Sequence, residues 1–291
     1  RRPRSHEIEM GLRRKEDARF LLGHGKYIAD LRMPGVQDVA FVRSQVANGR
    51  VRHLIKPEGY AQSVFTLADL GPLTILEAGP DLPAHKHSPY PPLADERVRY
   101  VGQPIAACLQ PTRALAEDLA DRVSVDLEQL PAIVDCVAAM QAGSPRVFDQ
   151  WADNAYITSS VVEGDPRSLA SAPVRLRRQF RMNRQATVAL ECRGVLAYWD
   201  HRTNELIVYL STQGGQVKRL GLSQILGLPE NQVRVIAPDV GGGFGGKNRL
   251  MPEDIAVAAI AMKVGHPVRW IEDRREHLLA SIHARDHYYD L

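Results

Sequence analysis

Cysteine is scarce in this chain. Cys108, Cys136 and Cys192 are the only three in 291 residues, odd in number and far apart. A disulfide framework needs pairs, so a reducing compartment, the cytoplasm, is the expectation. No CxxC pair is present to signal a zinc site. An excess of one charge is missing too: 37 basic residues face 34 acidic ones. A net +3 is too balanced for a nucleic-acid footprint. No apolar run approaches the roughly 18 residues of a membrane span. Residues 1–19 are rich in charge, so a secretory leader is not expected. What remains is an ordinary globular composition, 44% apolar and 24% charged. The length suits one large domain or two smaller ones. The chain starts at Arg1 and stops on Tyr288-Tyr289-Asp290-Leu291, which reads as a strand cut short. A piece of a longer polypeptide is the expectation.

Residues 1–20 read as a solvated N-terminal arm, with ordering against a partner as the alternative. Residues 25–30 and 39–44 read as strands, with a turn at Met33-Pro34-Gly35. Six glycines and prolines between Gly79 and Pro92 demand an irregular loop. His85 and His87 in that loop have no third ligand nearby and read as solvated. A strand–helix–strand unit follows: a buried strand at 104–109, Thr112 as N-cap, a helix over 114–123 and a strand at 123–127. The first domain is expected over 21–145 and the second over 146–291. Arg175, Arg177, Arg178, Arg181 and Arg184 read as the solvated face of a strand, because no stacking aromatics interleave beyond Phe180. Strands are expected at 195–199, 206–210, 233–237 and 268–271. Helices are expected at 215–226, ending at Gly227, and at 252–264, ending at Gly265. His277, His283 and His287 read as surface or strand positions. The fold class is α+β.

The sharpest feature is Gly241-Gly242-Gly243-Phe244-Gly245-Gly246-Lys247. Five glycines in six positions let backbone approach a ligand closely and aim N–H groups at one spot. A P-loop would need Ser or Thr where Asn248 stands. A dinucleotide fingerprint is satisfied by Gly241, Gly243 and Gly246, with Glu272-Asp273 for a ribose; this would make the chain an NAD-dependent dehydrogenase. Against it, Pro238-Asp239-Val240 separate strand from glycine, and the helix starts near Pro252.

A third reading comes from resemblance. Ala237-Pro238-Asp239-Val240 followed by the 241–247 run resembles the molybdopterin-binding loop of the xanthine dehydrogenase, aldehyde oxidase and carbon monoxide dehydrogenase family. Other segments are similar in the same order. Arg14 to Phe20 with Gly23, Gly25, Tyr27 and Asp30, then Val101 to Ala106 and Val125 to Pro131, resemble its hammerhead domain. Leu190 to Gly194, Ser211-Thr212-Gln213, Ile225 to Glu230, Pro267 to Arg274, Glu276 and Ala284-Arg285-Asp286 resemble its molybdenum-binding region. The similarity runs through nearly all the chain beyond about residue 12.

The resemblance implies a hammerhead domain followed by the first part of the molybdopterin-binding domain of a molybdenum hydroxylase. It implies hydroxylation of a small-molecule carbon, whether aldehyde, N-heterocycle or CO-like, with water as oxygen source. The implied cofactor is molybdopterin, in its cytosine dinucleotide form, with [2Fe–2S] clusters and FAD on partner chains. Three cysteines here are too few for a cluster of four thiolates. Gln213 matches a glutamine that hydrogen-bonds an oxygen ligand of the metal. Phe244 and Gly245 match the loop facing metal and pterin, with Phe244 as an apolar wall or core aromatic. Gly242 and Gly243 bring backbone close. Lys247 is either a phosphate or pterin contact or a solvated residue. Glu191 is expected to hold structure by hydrogen bonds. Asn248 replaces a glutamate of purine-hydroxylating relatives, which disfavours a purine; the wording around Glu191 and Trp270 resembles the carbon monoxide dehydrogenase-like branch. The family's catalytic glutamate lies beyond Leu291. The implied partners are the C-terminal portion of the catalytic subunit, an iron–sulfur subunit, an FAD subunit and a small-molecule substrate, with no nucleic acid. A non-catalytic scaffold with the same fold is the alternative.

Overall fold

The structure is a computed structural model that describes residues 14–77, 85–165 and 167–291. The first part of the expected arm and of the proline-rich loop lies outside the described residues. A seven-stranded sheet runs through the molecule in the order β12 (Val233–Ile236), β11 (Glu205–Leu210), β10 (Gly194–Asp200), β13 (Val268–Ile271), β1 (Gln37–Arg43), β7 (Pro104–Gln110) and β3 (Val64–Phe65). The β1–β13 and β11–β12 pairs are parallel and the others antiparallel. One sheet therefore takes strands from both halves of the chain.

Alternation along these strands sets its two faces. Val39, Phe41, Ala107, Leu109, Val195, Ala197, Leu206, Val208, Val268 and Trp270 point to the face covered by helix α6 (Pro252–Val264). Its ten residues from Pro252 to Ala261 are all buried: Glu253 and Asp254 in the first turn are paired with Arg43, Arg193 and Lys218, and the rest are apolar. Helix α5 (Gly215–Leu226) lies beside β12 and adds Leu222 and Ile225 to the same core. The opposite face, through Val64, Ala106 and Cys108, receives Leu119 of helix α2 (Arg113–Arg122).

Local signals place several ends where they were expected. Thr112 Oγ1 accepts from Leu115 N and caps α2. Gly227 and Gly265 end α5 and α6 in the left-handed conformation. One expectation fails. Residues 25–30 do not form a strand. The Asp30 carboxylate accepts from Tyr27 N at 3.0 Å and turns the chain into a 3₁₀ turn, Ile28–Asp30. The strand after α2, β8 (Ser124–Gln129), does not join β7's sheet. It pairs with β2 (Gly49–Ile55), which also holds β6 (Arg97–Val98), in a separate three-stranded sheet.

Smaller elements complete the chain: β4 (Leu76–Glu77) with β5 (Pro89–Tyr90), and β9 (Gln179–Met182) with β14 (His287–Asp290). Three short helices are α1 (Asp17–Leu21), α3 (Cys136–Ala139) and α4 (Ser168–Ser171). On β9, Arg181 stacks on Tyr288 and faces Asp135, while Arg177 pairs with Asp290. Among the described residues no helix is long and apolar enough to cross a membrane.

Candidate functional site

The glycine run spans the connection from β12 to α6 and comes back beside the end of β11. There Ser211-Thr212-Gln213 lead into α5. Gln213 N donates to Lys247 O at 3.1 Å, and Thr212 Oγ1 donates to the same carbonyl at 3.2 Å. In return the Gln213 side-chain oxygen accepts from Gly245 N at 3.0 Å and Lys247 N at 3.2 Å. Two N–H donors on one amide oxygen fix which end of the amide is which. The NH₂ end is thus not used on these two loop amides and remains a neutral donor.

Three glycines are required by what lies against them. A Cβ on Gly243 would stand 2.6 Å from Gln213 Oε1. One on Gly241 would meet Glu191 Cβ at 2.5 Å, and one on Gly246 would overlap Thr187 Oγ1. Gly242 and Gly245 instead need positive φ, +95° and +87°. Phe244 also sits at positive φ, +49°, rare for an aromatic residue and a local strain. The N–H groups of Gly242, Gly243 and Phe244 donate to no acceptor among the described residues.

Glu191 anchors the loop. Its Oε2 accepts from Ser211 Oγ at 2.7 Å, Gly241 N at 2.8 Å and Lys247 Nζ at 2.7 Å. The approach to the loop is held as well. Asp239 takes Lys26 N at 2.7 Å and a two-pronged guanidinium contact from Arg19 on α1. That guanidinium first, and the Lys26 amide second, hold the Asp239 carboxyl down at about 2. Arg19 is thus tied to Asp239 while 40% of its side chain stays exposed.

Behind the loop lies a buried charge network. Arg193 binds Glu272 through its Nε at 2.9 Å and Glu253 through Nη1 at 2.9 Å. Arg43 reaches Glu253 at 2.8 Å and Glu276 at 2.9 Å. Burial alone pushes Glu253 up, yet Arg193 and Arg43 outweigh it and hold the carboxyl at about 2. His277 Nδ1 lies 2.8 Å from Glu272 and its Nε2 lies 2.5 Å from Thr187 O. Cys192, Glu272 and His277 bring their ligand-type atoms within 4.8 Å of one another. Both His277 nitrogens are already engaged, Glu272 is taken up by Arg193, and burial raises the Cys192 thiol. The cluster is hydrogen-bonding scaffolding.

The structure brings Gln213, Gly242, Gly243, Phe244, Gly245 and Lys247 into one loop contact. Three expectations are corrected. Phe244 is no core aromatic: it is 74% exposed, flanked by Gly243 and Gly245, which offer no side chains to cover it. Lys247 is not solvated: only 1% of its side chain is exposed, because Glu191 draws the ammonium inward. Glu191 holds structure by hydrogen bonds, as expected. His277 is buried and paired, so it is not a surface position. Of the two loop histidines, His85 is half-buried with its ring 5.9 Å from Tyr156 and His87 is exposed. Sequence reasoning missed Thr187, Arg193 and Arg274 as supports of the loop. Their partners lie about 60 to 90 positions away, and no local pattern carries them. The dinucleotide reading fails on geometry: β12 ends at Ile236, and Gly246 still precedes the helix start at Pro252 by six residues.

Comparison with known proteins accords with this layout. Residues 22–131 match the aldehyde oxidase and xanthine dehydrogenase a/b hammerhead domain, and residues 147–291 match the molybdopterin cofactor-binding domain. The carbon monoxide dehydrogenase large chain of Hydrogenophaga pseudoflava is 31% identical over 95% of this chain and 36% of its own length. The nicotine 6-hydroxylase large subunit of Paenarthrobacter nicotinovorans is 33% identical over 94% of this chain and 34% of its own. Quinoline 2-oxidoreductase from Pseudomonas putida 86 superposes with a TM-score of 0.84 at 34% identity, over 95% of this chain and 36% of that one.

Fold and matches together define a hammerhead domain joined to a molybdopterin-binding domain, the architecture of molybdenum hydroxylase large subunits. The chain belongs to the xanthine dehydrogenase, aldehyde oxidase and carbon monoxide dehydrogenase family. It spans about a third of the length of the relatives it matches.

Proposed function

We propose that this chain is the N-terminal portion of the molybdenum-containing catalytic subunit of a hydroxylase and supplies one wall of its active site. The carrying observation is the fixed orientation of Gln213: Gly245 N and Lys247 N occupy its oxygen, so its NH₂ end stays a donor beside a loop with unclaimed N–H groups. These residues fit a molybdopterin. The cradle admits no Cβ at Gly241, Gly243 or Gly246, and the donors are neutral, which suits oxygen ligands whose charge must not be displaced.

Bound there, molybdopterin would accept two electrons and pass them to [2Fe–2S] clusters and FAD on partner chains. Gln213, its oxygen held by Gly245 N and Lys247 N, would offer its N–H to an oxygen of the bound group. The Gly242, Gly243 and Phe244 amides offer further donors, and Phe244 presents an apolar wall to substrate. Lys247 acts indirectly, by fixing Glu191 and the loop. The general base, a glutamate in the family, comes from the remaining portion of the subunit. The relatives' names point to small substrates, an N-heterocycle or carbon monoxide, and to an assembly in which this is the large chain. The cytosine dinucleotide form of the cofactor and a cytoplasmic location belong to the same reading.

The test is metal and pterin analysis of the assembled complex, together with turnover. One molybdenum per catalytic subunit, and activity that requires the rest of the subunit, is the expected result. A fully assembled protein without molybdenum would make the chain a scaffold and overturn the reading.

A further inference from the structure

We infer that Arg274 and His277, three positions apart on helix α7 (Arg274–Ala280), are positioning residues for the glycine loop. The inference rests on reading that loop as the cofactor wall. The loop does not lie on a strand or a helix. It lies on residues 187–191, which belong to no named element. Gly241 is seated against Glu191, Gly242 against Ala189, where an added Cβ would stand 3.3 Å from the alanine's, and Gly246 against Thr187. The height of this strip therefore sets the height of the loop.

The strip has little sheet pairing of its own. Ala186 forms an isolated bridge with His283, and Glu191 N bonds Gly241 O. Its carbonyls go to α7. His277 Nε2 meets Thr187 O, and Arg274 Nη2 donates to Ala189 O at 2.6 Å and Leu190 O at 3.0 Å. Three carbonyls of a five-residue strip are thus met by two side chains on one helix face, because positions i and i+3 lie together.

The helix is itself immobilised. Asp273 caps it, accepting from Glu276 N at 2.7 Å, while Glu276 reaches back to Asp273 N at 3.1 Å. Glu276 also binds Arg43, and Glu272 holds both His277 and Arg193. A continuous set of contacts runs from the buried charges through α7 to the strip and then to the glycines. Arg274 and His277 touch no reacting group; they act through the strip.

The experiment uses the complete catalytic subunit assembled with its partner chains. Arg274→Ala, Arg274→Lys and His277→Leu are compared with the parent by amide hydrogen exchange over residues 187–191, 241–247 and 252–264, and by molybdenum content. Arg274→Ala and His277→Leu are expected to raise exchange in the loop at least tenfold, leave α6 protected, and lower molybdenum occupancy to less than half. Arg274→Lys, which retains a donor, is expected to recover most of the protection. A merely structural role would loosen α6 and the loop together. Loop exchange unchanged in Arg274→Ala, or changed only in step with α6, overturns the inference. If His277→Leu fails to fold, the two Arg274 variants decide, since that side chain is only half-buried. A parent without molybdenum whose loop still loosens in the variants would overturn the cofactor reading and leave the support role standing.

Discussion

Gly243 and Gln213 lie so close that no side chain can stand between them: a Cβ on the glycine would be 2.6 Å from Gln213 Oε1 and 2.7 Å from Gln213 Cγ. A Gly243→Ala substitution must therefore push the glutamine off the two loop amides that orient it. The protein is expected to fold, with cofactor content cut by at least half. Molybdenum assay of the purified complex checks this, and full loading would show that Gln213 has somewhere else to go.

Gln213→Glu separates orientation from donation. A carboxylate still accepts from Gly245 N and Lys247 N, so the loop keeps its hydrogen bonds. Its other oxygen becomes an acceptor with charge. Turnover is expected to fall by about 100-fold or more, as for loss of one preorganised donor. Thermal stability and loop exchange should stay near those of the parent, and steady-state rates with differential scanning fluorimetry read both.

Gly245→Val tests conformation and not space. Nothing lies within 4 Å of a Cβ there, but φ is +87°. A β-branched residue disfavours that region strongly, so the loop is expected to relax to another path and abolish cofactor loading. Gly245→Asn, better tolerated at positive φ, should keep part of it. Equal loading in the two variants would contradict this account.

Acid stability tests the network behind the loop. Glu253 titrates at about 2 in the fold against an ordinary 4.5, because Arg193 and Arg43 overcome the effect of its burial. A depressed carboxyl contributes stability that is complete above its unfolded value and is lost as pH falls through the folded one. The melting temperature should therefore drop between about pH 4.5 and about pH 2. Glu253→Gln should start lower at pH 7, by about 3 kcal/mol, since two buried guanidiniums lose a charge partner. It should then fall less steeply in acid. Parallel pH profiles would exclude Glu253 as the source.

Much of the fold was legible because its signals are local. Thr112, Gly227 and Gly265 act on their own helices, and the alternation in β10 and β11 shows in six or seven residues. The failures have causes that periodicity does not carry. Residues 25–30 read as a strand, but Lys26 N is taken by Asp239 and Tyr27 N by Asp30. The sequence between 123 and 127 shows a strand but not the sheet it joins. At the site, the glycines announced close approach. Gln213 emerged through collinear resemblance, since its bonds reach 32 and 34 positions along the chain. His277 and Arg274 were illegible: nothing around them in sequence says that residues 187–190 need them.

The middle of the large sheet is closed by two strands from opposite regions of the chain. Asp38 on β1 pairs in register with Arg269 on β13, and their side chains meet at 2.7 Å across 231 positions. During synthesis β1 can find β7 early, yet its other edge stays bare until β13 has left the ribosome. Until then Phe41 lacks Trp270, whose ring stands edge-on to it at 5.5 Å. The strip under the glycine loop likewise gains its support from Arg274 and His277 only when the residues just after β13 arrive.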